Sequence, residues 1–84
     1  MTKKFEPVKL DERFRFYIPK KVRKDKDLQV GDTVNLCIRI PEDHNKSAGA
    51  DILIEDERYR VTVFSHLRKI LGIAKPREIE ICLD

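Results

Sequence analysis

The sequence predicts a mainly β fold: a small six-stranded barrel with pseudo-twofold symmetry, built from two strand-strand-helix-strand repeats. Three observations predict it. First, residues 11–38 align without a gap on residues 56–83, with seven identities in 28 positions: Asp11/Asp56, Glu12/Glu57, Arg13/Arg58, Arg15/Arg60, Arg23/Arg68, Lys24/Lys69 and Cys37/Cys82. Eight further pairs exchange one apolar residue for another, among them Phe14/Tyr59, Phe16/Val61, Ile18/Val63 and Leu36/Ile81, and self-similarity of this kind marks a repeated structural unit. Second, apolar and polar residues alternate within each repeat, the period of a half-buried strand. Third, one unit of three short strands and a helix leaves its apolar face uncovered, whereas two units cover each other and, by closing, remove exposed strand edges.

The elements follow in order. Residues 8–10 form a short apolar strand, and Asp11-Glu12 is the turn of a hairpin leading into Phe14, Phe16 and Ile18, which alternate with Arg13, Arg15 and Tyr17. Residues 20–26 are polar around Val22 and make about two helical turns. Gly31-Asp32 breaks the chain, and Val34, Leu36, Ile38 and Ile40 then alternate as a third strand. The second repeat has its first strand at 52–54, a turn at Asp56-Glu57 and a strand carrying Tyr59, Val61 and Val63. Its helix spans 65–71, capped by Ser65, with Leu67, Ile70 and Leu71 on one face. After a break at Pro76-Arg77 comes a last strand carrying Ile79, Ile81 and Leu83. Residues 41–50, between the repeats, are polar and turn-rich and read as an exposed linker without a strand. The organisation is one domain over 1–84, with a first repeat at 7–40, the linker at 41–50 and a second, diverged repeat at 51–84.

Composition narrows the function classes. Eighty-four residues make one domain. Hydrophobic residues are 40% and charged ones 39%, and no run of about 18 apolar residues offers a membrane span. The first six residues lack the apolar stretch of a secretion signal, and two cysteines do not make a disulfide scaffold. These features place the expected protein in the cytoplasm. The net charge of +3 is unevenly spread. Residues 1–40 carry eleven Lys/Arg against six Asp/Glu, while residues 41–55 carry one against four.

Residues 8–36 resemble the AbrB/SpoVT/MraZ family of swapped-hairpin DNA-binding domains. The family pattern is a strand, an acidic turn, Gly-Arg, an apolar strand ending Ile-Pro, a helix with Leu-Arg and a Gly-Asp loop. Asp11, Arg15, Ile18-Pro19, Val22-Arg23, Leu28 and Gly31-Asp32 fall on it, with Phe14 where the family usually has Gly. The second repeat keeps Asp56, Arg60, Val63, Leu67-Arg68-Lys69 and Leu71-Gly72-Ile73, with Phe64 in place of Pro19 and Pro76 in place of Gly31. Family members interleave two copies into one barrel, so the resemblance implies a fused pseudo-dimer, present as a monomer or homodimer, that binds double-stranded DNA as a transcriptional regulator. Double-psi and RIFT barrels, which also duplicate such units around a Gly-Asp loop, are the close alternatives.

The candidate DNA contacts are Arg13, Arg15, Lys20, Lys21, Lys24, Arg58, Arg60 and Lys69. Arginines two apart on a strand point to one face about 7 Å apart, close to the distance between neighbouring phosphates on one DNA strand. Arg also reads guanine bidentately. The helix lysines suit sequence-independent phosphate contacts. Because Lys20, Lys21 and Lys24 belong to the first repeat, Arg15 is expected to matter more than Arg60. Arg23 and Arg68 are expected to be structural, paired with Asp11 or Asp56. Cys37 and Cys82 read as small packing residues, with a disulfide as the minor alternative. No P-loop, nucleophile elbow or metal-ligand spacing occurs, so neither enzyme activity, cofactor nor metal is expected. The alternatives to a regulator are a protein- or ligand-binding cradle-loop barrel module, or an antitoxin-type barrel without a toxin-binding tail.

Overall fold

A computed structural model describes residues 4–83. Residues 1–3 and 84, on which the leader and tail expectations partly rest, lie outside them. The chain runs β1 (Glu6–Lys9), β2 (Arg15–Tyr17), α1 (Lys20–Asp25), β3 (Thr33–Ile40), β4 (Asp43–Leu53), β5 (Arg60–Thr62), α2 (Ser65–Leu71) and β6 (Glu78–Leu83). With 44% strand and 16% helix, it is mainly β. The six strands form two antiparallel sheets, a four-stranded one ordered β1-β6-β3-β4 and a two-stranded ribbon β2-β5. The alternating residues enclose one core containing Phe16, Ile18, Leu36, Ile38, Ile54, Val63, Leu71, Ile79 and Ile81.

The 45-residue spacing reappears in the pairing. Phe16 faces Val61 across the ribbon, and Cys37 faces Cys82 across β3-β6, so repeat-equivalent residues oppose each other in both sheets. Val8 faces Ile79 as Ile52 faces Val34, which makes the outer strands equivalent at a spacing of 44. The left-handed residues Phe14 and Tyr59 correspond, with φ of 60° and 56°. Asp27 corresponds to Gly72, where φ of 71° ends α2 in the left-handed cap that glycine favours.

Four expectations need correction. The strands do not close into a barrel: the ladders stop at two separate sheets. The acidic turns form, closed by Asp11 N–H donating to the Arg15 carbonyl at 2.9 Å, yet β1 and β2 do not pair as a hairpin. The left-handed residue after each turn redirects the chain, and β1 pairs with β6 while β2 pairs with β5. Residues 41–50 are not a linker, because β4 starts at Asp43 and only Pro41-Glu42 turns. As an edge strand β4 owes its extended form to its ladder with β3, and one face needs only Ala48, Ala50 and Ile52 against the core. At α2, Phe64 occupies the N-cap position without a side-chain cap, Ser65 is the first helical residue, and Ile70 points outward at 61% exposure.

Candidate nucleic-acid interface

Each acidic turn is organised by its aspartate. Asp11 Oδ1 accepts the backbone N–H of Arg13 (2.8 Å) and of Arg15 (3.0 Å), and Oδ2 accepts Arg15 Nε at 3.0 Å. The backbone N–H of Arg15, helped by that of Arg13, holds the Asp11 carboxyl below the usual carboxylate range. Asp56 repeats the pattern, accepting the N–H groups of Arg58 (2.9 Å) and Arg60 (3.3 Å). Its contact with the Arg60 guanidinium is looser, at 3.5 Å. The aspartates thus fix the turns and fasten Arg15 and Arg60, while Arg13 and Arg58 project freely at the tips, exposed to solvent.

The ribbon carries these turns. Phe16 and Val61 fill its inner face, so Arg15, Tyr17, Arg60 and Thr62 share the outer one, with Arg15 opposite Thr62 and Tyr17 opposite Arg60. Tyr17 is 51% exposed. A side chain of the Arg60 or Tyr17 type, with a polar head on an apolar body, suits a face that meets another polar surface.

Arg23 and Arg68 have a structural role, though with different partners from those expected. The Arg23 guanidinium lies over the Tyr59 ring, 4.7 Å from its centroid, and Arg68 lies over Phe14 at 4.1 Å. Each helix therefore grips the turn of the other repeat. The Nε atoms of both arginines are buried without a hydrogen-bond partner. Tyr59 is further fixed by its hydroxyl, which donates to the Leu28 carbonyl at 3.1 Å. Arg15 and Arg60, not the helix arginines, pair with the aspartates.

This exchange rearranges the cations. Lys20, Arg23 and Lys24, on one face of α1, line an open cleft of about 270 Å³ with Asp27, Leu28 and the second repeat's Tyr59. Their equivalents Ser65, Arg68 and Lys69 line a cleft of about 350 Å³, beside the first repeat's Phe14. Lys21 points elsewhere, toward Glu6 at 3.7 Å. Lys20 and Lys24 of the first repeat thus share a cleft with Tyr59 of the second. Sequence reasoning missed Tyr17, Phe14 and Tyr59 as parts of this surface. The aromatic residue between the arginines of each Arg-aromatic-Arg turn was the available signal.

A small β protein of two like halves, each offering an arginine turn, is the class that fold and surface define. It is similar to PHS018 from Pyrococcus horikoshii, whose solution structure matches with a TM-score of 0.79 and 25% identity over 95% of this chain and 87% of that one. No protein-family pattern matches the chain, and neither does any curated protein sequence.

Proposed function

We propose that this protein is a DNA-binding transcriptional regulator of the AbrB-like type, a fused pseudo-dimer whose two-sheet core is an open relative of the swapped-hairpin barrel. One observation carries the proposal. A two-stranded antiparallel ribbon, centred on the Phe16/Val61 pair, turns Arg15, Tyr17, Arg60 and Thr62 outward with Arg13 and Arg58 at its flanking turns. The major groove of B-DNA admits such a ribbon, and its two equivalent ends suit paired contacts along a duplex. Arg13 and Arg58 meet phosphates, as do Lys20, Lys24 and Lys69 at the flanks. Arg15 and Arg60, held by aspartates through part of each guanidinium, lose less freedom when their remaining nitrogens reach an acceptor. Binding rather than catalysis is the chemistry this set of residues supports.

The test is a titration of random and mixed-sequence duplexes by fluorescence anisotropy at several salt concentrations, with sizing of the free protein. Binding at low salt that weakens steeply with added salt is expected; no binding at low salt overturns the proposal. That outcome favours a second reading, a module for a basic, partly apolar protein segment. Its support is the groove in which Leu53 and Phe64, 53% and 58% exposed, lie with Asp51, Glu55 and Asp56.

A further inference from the structure

In a pair of repeats related by a twofold operation, only residues on the axis face their own equivalents. Phe16/Val61 is one such pair and Cys37/Cys82 is another. Cys37/Cys82 is also the single identity between the aligned 33–38 and 78–83 segments. Directly opposed residues of an antiparallel ladder send their side chains to the same face with Cβ atoms about 4.5–5.5 Å apart. Their Cα separations of about 4.5–5.5 Å lie inside the range that a disulfide bridges, and the Cβ atoms must draw in to about 3.5–4.5 Å to form it. Both residues are thiols in this structure. Cys37 is half-buried and Cys82 is 8% exposed, so Cys37 is the sulfur a small oxidant reaches first. Its other ladder neighbour is Gly49, where a side-chain carbon would come within 3.9 Å of the Cys37 Sγ.

We propose that Cys37 and Cys82 are a redox-modification site, closing to an intramolecular disulfide when the protein meets hydrogen peroxide. The Cys37 thiolate attacks one peroxide oxygen, the O–O bond breaks, and hydroxide leaves; Cys37 becomes a sulfenic acid. The Cys82 sulfur, as its thiolate, then attacks the Cys37 sulfur, forming the S–S bond and expelling a second hydroxide. In total two thiols lose two electrons and two protons, and one peroxide becomes two waters. The bond ties β3 to β6 across the axis and closes a loop of about 45 residues, which restricts the unfolded chain. The site stands apart from the DNA surface and does not depend on it.

The experiment takes the full chain, reduced and then exposed to hydrogen peroxide. Expected are an intact mass lower by two hydrogens and a thiol count under denaturing conditions that falls from two to none. A mapped peptide joining Cys37 to Cys82, and a melting temperature raised by roughly 10 °C or more that dithiothreitol reverses, are also expected. Peroxide should leave the melting of Cys37→Ser and Cys82→Ser without that rise. The wild-type peptide map tests the proposal even if a variant folds poorly. Thiols that persist at peroxide levels oxidising a control dithiol overturn it, as do oxygen adducts without mass loss or a cross-link found only between chains.

Discussion

The steepness of the salt dependence is the sharpest test of the ribbon surface, because it can be worked out in advance. Seven cations form the proposed contact: Arg13, Arg15, Lys20, Lys24, Arg58, Arg60 and Lys69, with Lys21 left out because it points away from the cleft that Lys20 and Lys24 line, toward Glu6 at 3.7 Å. If each neutralises one phosphate at about 0.9 counterions released, log affinity should fall against log salt with a slope of about −6. Raising salt from about 50 to 200 mM should then weaken binding roughly 4,000-fold. Replacing Arg13 and Arg58 together by alanine should flatten the slope to about −4.5 and weaken all sequences evenly. Arg15→Ala and Arg60→Ala should lose comparable affinity, since each turn has cations from the opposite helix beside it. If they read bases, each loss should be about 1–3 kcal/mol and confined to preferred sequences. Anisotropy titrations of wild type and the three variants over a salt series provide the measurement. A wild-type slope shallower than about −2, or one the double variant leaves unchanged, refutes the reasoning.

Three further outcomes concern stability. Phe16→Ala or Leu36→Ala, each 1% exposed in the wild type, should destabilise by about 2–5 kcal/mol, while Tyr17→Ala should change less than about 1 kcal/mol; equal effects at neighbouring Phe16 and Tyr17 in denaturant melts would show the strand phase to be wrong. Tyr59→Phe keeps the ring under Arg23 but removes the bond to the Leu28 carbonyl, so a loss of about 0.5–1.5 kcal/mol is expected, against none if the hydroxyl is idle. The lowered Asp11 pKa makes its stabilisation present above the ordinary carboxylate range and lost as pH falls through the folded-state value. Wild type should therefore out-melt Asp11→Asn near neutrality and lose that advantage below about pH 4; a constant gap down to pH 2.5 would contradict the assignment.

The sequence makes β2, β3, β5, β6 and both helices legible, because each combines local periodicity with an echo 45 residues away. β4 is not legible. Asn45, Lys46, Ser47 and Gly49 carry turn and loop preferences, and only the ladder to β3 makes them extended. The Ala48-x-Ala50-x-Ile52 alternation was its faint signature. At the candidate site, the aspartate turns and the charged residues were visible, since their partners lie two to four positions away. The gripping of Tyr59 by Arg23 and of Phe14 by Arg68 was not, because neither partner is near in sequence and nothing in a helix's own pattern names the ring it covers.

The central position of β6 governs when the chain can fold. Among the ladders, Glu6 meets Ile81, Phe16 meets Val61 and Cys37 meets Cys82, all pairings between distant segments. Only β3 and β4 are neighbours, joined through Pro41-Glu42. That hairpin can form within microseconds on its own, but the wide sheet stays split until β6 slides between β1 and β3. Closing such long loops before contacts reward them places folding in the slower regime of non-local β topologies. During synthesis, β1 and β3 have no common neighbour until residues 78–83 have left the ribosome, and Leu36 and Ile38 lack their ladder partners Leu83 and Ile81 meanwhile. Folding of this domain therefore waits for its last strand, and the emerging chain depends on its charge, rather than on early structure, to stay apart from its neighbours.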